Sequence, residues 1–347
     1  MKASFKSIDI GKLLFSLSIL TCHVLSCPTI SECNSYLKIY WVLYYVLNRI
    51  AVPFFFICTG YFLSNELSQK NGYKRVWLFT KKIIRIYIVW TIIYSPFIIF
   101  NNSPIVLLQR TLFQGSVPVF WYLTSLIIAV NLLFVLIKYF GKKIAGAIAV
   151  ITYSFGIFVS YIPDGEGLLF QIIHMYKKIF ITFANGLFFG LIFVFIGVII
   201  GQKENGFIKN KRTNQDNKHL RIIGLFIATM ISIFAIAFEV LMRQTNNIRE
   251  DNFILCLPIA GITVFLLIKE LNKLTIFELI KDETSIKIRK LSTLIYCLHM
   301  FIVYIYIFLG FTNDIFRWIF TFTFTLIIAM LLLWLGKKNK AISSILI

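Results

Sequence analysis

Apolar runs of about 20 residues alternate with short polar blocks along the whole chain, and about 20 mostly apolar residues at about 1.5 Å each is what a helix needs to cross a bilayer core. Ten segments meet that requirement: 10–28, 40–63, 83–100, 118–138, 144–162, 179–201, 222–242, 253–268, 291–309 and 317–336. The third and eighth are the shortest. The pattern predicts an all-α fold, a polytopic transmembrane helical bundle of about ten spanning helices. Tyr36, Tyr40, Trp41, Trp121, Tyr122, Tyr161 and Trp318 fall near the ends of the runs, where interfacial aromatic belts sit.

The polar blocks are basic, and they sort by side. Ten crossings return both chain ends to one face, so alternate loops can be compared for Lys and Arg. Of the 35 basic residues all but Lys38, Arg49, Arg110, Lys177, Lys178, Arg243, Arg249 and Arg317 fall on the face of the termini. Miscounting by one span would scramble this partition, so both termini are expected to be cytoplasmic. No stretch between runs is long enough to hold a second fold and no internal repeat is visible, which predicts a single transmembrane domain over 1–347.

Composition agrees and removes one class of partner. Hydrophobic residues make up 59% and charged residues 14% of the chain, with a mean hydropathy of +0.82. A soluble domain carries roughly a quarter charged residues, so lipid must solvate most of this surface. The net charge of +20 would suggest nucleic acid in a soluble protein, but short basic blocks between apolar runs set topology instead. The expected partner is membrane lipid and no nucleic acid. The cysteines Cys22, Cys27, Cys33, Cys58, Cys256 and Cys297 form no CxxC pair and no Cys/His cluster with metal spacing, which predicts no metal site and no disulfide framework. The first run follows a basic start but contains Lys12 and His23, and reads as a retained helix rather than a cleaved signal.

Ionisable groups within a span are costly and therefore candidates for function. They are His23, Glu239 and His299, with Lys12, Arg49 and Arg243 nearer the rims. Eleven residues separate Lys12 from His23, which returns them to nearly one helix face, about 16 Å apart along the axis. A neutral imidazole can take a proton or attack an activated acyl group; the plainer use is a histidine satisfied by a neighbouring hydroxyl or carbonyl. Glu239 and Arg243, four apart, read as a structural pair. His219 lies in a basic loop, and His174, with Asp164 and Glu166, in a loop on the opposite face; neither spacing is diagnostic.

Five stretches, in order, resemble the integral membrane acyltransferases called acyltransferase 3. "IDIGKLLFSLSILTCH" (to His23) resembles that family's first helix, a basic residue and a histidine separated by ten others. "RIAVPFFFICTGYFL" (Arg49 to Leu63), "KKIIRIY" (Lys81 to Tyr87), "VFWYLTSLI" (Val119 to Ile127) and "STLIYCLHM" (Ser292 to Met300) resemble later elements, while 130 to 290 matches by hydropathy alone. Two residues depart from the pattern: Lys12 stands where Arg is usual, keeping charge without the planar fork, and Thr59 stands where Ser is usual, keeping the hydroxyl.

The resemblance implies transfer of an acyl group, commonly acetyl, from cytoplasmic acyl-CoA (acetyl-CoA) to an extracytoplasmic acceptor such as a cell-surface sugar hydroxyl, in a bacterial plasma membrane. Acyl-CoA is a co-substrate, and no bound cofactor is expected. His23 would be the catalytic base or acyl relay, and Lys12 its partner or a donor-phosphate contact. Coenzyme A is polyanionic and needs a basic mouth, for which Lys81, Lys82 and Arg85 are candidates; the plainer use of each is positive-inside anchoring. Arg49, Thr59, Trp121 and Tyr122 are candidates for the acceptor, and His299 is a possible second histidine whose plainer use is packing. Glycan-assembly proteins are expected partners. Two other readings stay open: a transporter or exporter of a glycan, amino acid or small solute, and an inactive scaffold in a polysaccharide assembly. Carriers coupled to protons place several acids at membrane depth, and here Glu239 stands by itself.

Overall fold

The structure is a computed structural model, and it describes residues 5–25, 35–69, 72–99, 103–162, 165–207, 218–245 and 252–339. Cys27, Cys33, Asp164 and Arg249 lie outside the described residues, as do the side chains of Tyr36, Lys38, Tyr40 and Trp41. The described chain is helical, without strands: α1 (Lys6–Val24), α2 (Ser35–Phe62), α3 (Ser64–Ser68), α4 (Tyr73–Ile98), α5 (Pro104–Phe113), α6 (Trp121–Tyr161), α7 (Leu168–Phe180), α8 (Leu191–Phe207), α9 (Lys218–Thr245), α10 (Leu257–Leu271), α11 (Thr275–Glu278), α12 (Asp282–Phe308) and α13 (Asp314–Lys338). A π-helical turn, Gly186–Gly190, leads into α8.

Among the described residues, seven helical stretches are long and apolar enough to cross a membrane: Lys6–Val24, Tyr44–Phe62, Pro104–Tyr161, Gly186–Lys203, Lys218–Arg243, Asp282–Phe308 and Asp314–Lys338. This is a multi-pass helical membrane protein. The stretch Pro104–Tyr161 has 58 residues and is broken at Gly141, whose φ of 80° and ψ of 168° no helix contains. That break lies between the expected spans 118–138 and 144–162, and glycine carries the left-handed φ without a Cβ clash. The expected spans 83–100 and 253–268 lie on α4 and α10, which do not reach that measure. α4 is longer than expected, with 26 residues, because Lys74, Arg75, Lys81, Lys82 and Arg85 hide its first turns from hydropathy; α10 has 15.

The helices group into two compact units. The first comprises Met1–Ala51, Ile88–Phe97 and Leu266–Ile347, so α2, α4 and α10 contribute to both. In it α1 and α12 run parallel, joined by buried polar contacts that climb both helices together. The Ser285 hydroxyl donates to the Asp9 carboxylate at 2.7 Å, and the Ser292 hydroxyl donates to the Lys12 carbonyl at 2.9 Å. Lys6 pairs with Asp282 at 3.5 Å, and Arg289 lies 3.9 Å from Asp9. The last part of α4 runs the same way beside α12: the Tyr94 hydroxyl donates to the Cys297 carbonyl, and Phe97 packs on Phe301 and Tyr304. α2 is antiparallel to α1, with Ser18 bonded to Asn48 and Tyr44 reaching Cys22. These directions are those of the first, second, third and ninth spans read from the sequence.

The second unit comprises Val52–Tyr87 and Ile98–Phe265. Its core is aromatic: Phe189 meets Phe56, Trp121, Tyr153, Phe193 and Phe253, all with ring centroids between 5.0 and 6.2 Å. α8 crosses the end of α2 at backbone contact. A Cβ at Gly60 would stand 2.0 Å from the Val194 carbonyl oxygen, and one at Gly197 would stand 2.2 Å from that of Ile57. Without a hydrophobic force between helices in lipid, such close backbone approach is what holds a crossing together.

Candidate active site

His23 lies in the last turn of α1, where the main chain needs outside partners because a helix end leaves carbonyls unbonded. Tyr44 supplies one by donating to the carbonyls of Cys22, at 2.8 Å, and Leu25, at 3.1 Å. Arg317 Nε donates to the Val24 carbonyl at 3.0 Å, and its Nη2 is held by Asp314 at 2.6 Å. Trp318 Nε1 donates to Thr21 Oγ1 at 3.2 Å. The turn carrying His23 is thus pinned from α2 and α13. None of Tyr44, Asn48, Asp314, Arg317 and Trp318 was a site candidate from the sequence; the one signal was Arg317, a basic residue on the face poor in them.

The His23 ring stacks on the His299 ring, with centroids 5.6 Å apart and planes 30° from parallel. The two histidines differ in exposure. His23 is exposed, whereas His299 is 0% exposed. His299 Nδ1 lies 3.0 Å from the Ile295 carbonyl oxygen. A carbonyl only accepts, so Nδ1 carries the proton and Nε2 holds a lone pair. That Nε2 is buried and has no hydrogen-bond partner among the described residues. The pair therefore sets the His23 ring against a ring of fixed tautomer.

Lys12 and Arg49 belong to the same unit. Lys12 sits half-buried on α1 below His23, its carbonyl held by Ser292. Arg49 is half-buried on α2; its Nη2 donates to the Tyr45 hydroxyl at 2.8 Å, and its Cζ lies 4.5 Å from the centre of that ring. The other candidates belong to the second unit. Lys81, Lys82 and Arg85 are exposed on α4, with Lys81 Nζ 5.3 Å from the Trp77 ring centre. Thr59 Oγ1 donates to the Phe55 carbonyl within α2. Tyr122 packs edge-on to Phe56 at 4.9 Å, and Trp121 packs against Phe189 at 5.7 Å. Both rings thus have edge-to-face aromatic partners, as the interfacial or core use of such residues requires.

Glu239 and Arg243 form the structural pair read from their spacing, at 3.0 Å, and the structure adds why they are there. The Glu239 carboxylate also accepts from the Tyr161 hydroxyl and from the backbone N–H groups of Leu255 and Cys256. The stretch around His174, expected as a loop, is the helix α7, with His174 exposed on it. Its amphipathic run of 13 residues was too short to register as a span. Among the described residues no three His, Cys, Asp or Glu side chains are grouped to hold a metal ion.

The family model of the acyltransferase domain matches residues 5–334, with His23 and His299 both inside it. The chain belongs to the acyltransferase 3 family. This acyltransferase-type membrane protein is also similar to three curated proteins. It is 26% identical over 278 residues to an amino-acid racemase of Enterococcus faecalis, covering 74% of this chain and 36% of that protein. It is 28% identical over 238 residues to a serine/alanine racemase of Enterococcus gallinarum, covering 63% of this chain and 31% of that protein. A second amino-acid racemase of Enterococcus faecalis is 26% identical over 239 residues, 64% of this chain and 31% of that protein. The chain spans about a third of the length of the relatives it matches. No solved structure matches it.

Proposed function

We propose that this acyltransferase 3 protein moves an acyl group, acetyl in the simplest case, from cytoplasmic acyl-CoA to a hydroxyl on an extracytoplasmic acceptor such as a cell-surface sugar. The setting is a bacterial plasma membrane crossed ten times, with both termini in the cytoplasm. The observation that carries the reading is the histidine pair, an exposed His23 stacked on a buried His299 of fixed tautomer.

In this scheme a nitrogen of His23 takes the proton of the acceptor hydroxyl as its oxygen attacks the thioester carbonyl. The C–S bond breaks, and the proton passes from His23 to the leaving thiolate, giving the ester and free coenzyme A thiol. His299 positions the His23 ring from behind. Lys12 contributes positive charge to the donor phosphates, and the exposed Lys81, Lys82 and Arg85 attract the polyanion from water. Arg49, Thr59, Trp121 and Tyr122 serve the acceptor.

His23→Ala, assayed in proteoliposomes with labelled acetyl-CoA and surface glycan, abolishes acyl transfer while membrane insertion and gel-filtration profile stay unchanged. Full activity in that variant ends the reading. A carrier of an amino acid is the second reading, favoured by relatives named as amino-acid and serine/alanine racemases. Against it, Glu239 is saturated by four donors and so is poorly placed to load and release a proton. Serine uptake by the same proteoliposomes without any acyl donor would favour the carrier.

A further inference from the structure

Two helices of the second unit are too short to cross a membrane and yet leave apolar faces uncovered. α5 has 10 residues and α7 has 13. At about 1.5 Å per residue they extend roughly 15 and 20 Å, against an apolar layer of about 30 Å. In α5, Ile105, Leu108 and Leu112 are exposed and no residue is buried. In α7 the exposed apolar residues are Leu168, Leu169, Ile172, Met175 and Ile179. At about 100° per residue all of them but Leu169 fall within an arc of about 60°.

The rest of the α7 surface says how it lies. Gln171, His174 and Lys178 are exposed and share a second arc, about a quarter turn from the apolar one. The third side faces the protein: Ile173 is buried, Tyr176 stacks on Phe183 at 4.3 Å, and Phe180 packs on Phe113 of α5 at 4.9 Å. The Gln109 amide of α5 donates to the carbonyls of Lys178 and Ile179, tying the pair together at the C-terminal end of α7. A spanning helix would expose apolar residues on every free side, and a helix in water would expose polar ones. Adjacent apolar and polar stripes describe a helix with its axis in the plane of a membrane surface.

Charge selects the surface. Arg110, Lys177 and Lys178 are basic, and neither helix contains an acidic residue. These three are among the eight basic residues that the span count leaves on the face otherwise poor in them. We propose that α5 and α7 form an interfacial pair lying in the headgroup layer of one leaflet, apolar stripes against the acyl chains and Arg110, Lys177 and Lys178 on anionic phospholipid headgroups. α9 of the same unit, long and apolar enough to cross a membrane, also leaves Phe234 and Phe238 exposed. The inference does not rest on acyl transfer by His23.

The test uses the full chain in vesicles of phosphatidylcholine and phosphatidylglycerol. A ketone-bearing residue is placed singly at Ile172, Met175, Gln171 or Lys178 and labelled with a nitroxide, leaving the native cysteines intact. Collision with oxygen exceeds collision with a water-soluble nickel chelate at 172 and 175, and the order reverses at 171 and 178. Nickel-dominated collision at all four positions, or dipolar broadening at 172 and 175 from a second copy of the chain, overturns the proposal. A second measurement addresses charge: Arg110→Gln with Lys178→Gln, both at exposed positions, lowers the co-purifying phosphatidylglycerol at least about twofold relative to phosphatidylcholine, because two headgroup contacts are lost. An unchanged lipid ratio removes the anionic-lipid part of the claim.

Discussion

Removing the Glu239 carboxylate destabilises the protein by taking the acceptor away from a buried cation. In Glu239→Ala, Arg243 loses its 3.0 Å partner, while its Nε and Nη1 have no hydrogen-bond acceptor among the described residues. The Arg243 side chain is 5% exposed, and its guanidinium lies 4.0 Å from the centre of the Tyr161 ring, which supplies a face but no acceptor in its place. The Tyr161 hydroxyl and the N–H groups of Leu255 and Cys256 lose their acceptor in the same step. Breaking a buried pair from one side costs about 3–5 kcal/mol, about two to nearly four orders of magnitude in the folding equilibrium. The double variant Glu239→Gln with Arg243→Met keeps an oxygen for the two N–H groups and removes the charge, and it costs less than half as much. The assay is the melting midpoint in mild detergent, followed by the loss of the monodisperse peak in gel filtration. A double variant that melts with or below Glu239→Ala refutes the reasoning, because the damage would then come from lost packing and not from an abandoned charge.

His299→Leu fills the space but removes the flat ring that stacks on His23; the protein stays folded and acyl transfer falls about tenfold, about 1.4 kcal/mol of lost positioning, while a variant that keeps full activity removes His299 from the scheme. Lys81→Gln with Arg85→Gln raises the KM for acetyl-CoA by about tenfold at low salt and by less at high salt, with kcat nearly unchanged, as steering by exposed cations requires. Gly60→Ala drives a Cβ into the Val194 carbonyl and lowers stability by at least about 1–3 kcal/mol, read as a drop in melting midpoint; Gly141→Ala, where a Cβ would meet nothing, suffers only the cost of the left-handed φ, roughly 1–2 kcal/mol.

The helical class and the membrane environment were legible because both follow from a local quantity, the apolar content of about 20 consecutive residues. The same windowing hid what is not uniformly apolar. The first turns of α4 were lost among their own lysines and arginines, and α5 and α7 were read as loops because they are short and wet on one side. The spacing of Lys12 and His23 placed the first histidine in its helix, and the order of five short motifs supplied the family. Nothing local said that His299, some 276 residues later in the chain, would stack on His23.

By itself, then, the sequence determined that the chain is helical and crosses a membrane several times, which family it belongs to, and that Lys12 and His23 share one helix. Only the tertiary structure decided that α1 and α12 run parallel, that Arg317, Trp318 and Tyr44 pin the turn under His23, and that His299 donates its Nδ1–H to the Ile295 carbonyl. The reason is physical: hydropathy is additive along the chain, whereas in lipid the pairing of helices is set by specific hydrogen bonds and close backbone contacts between residues hundreds of positions apart.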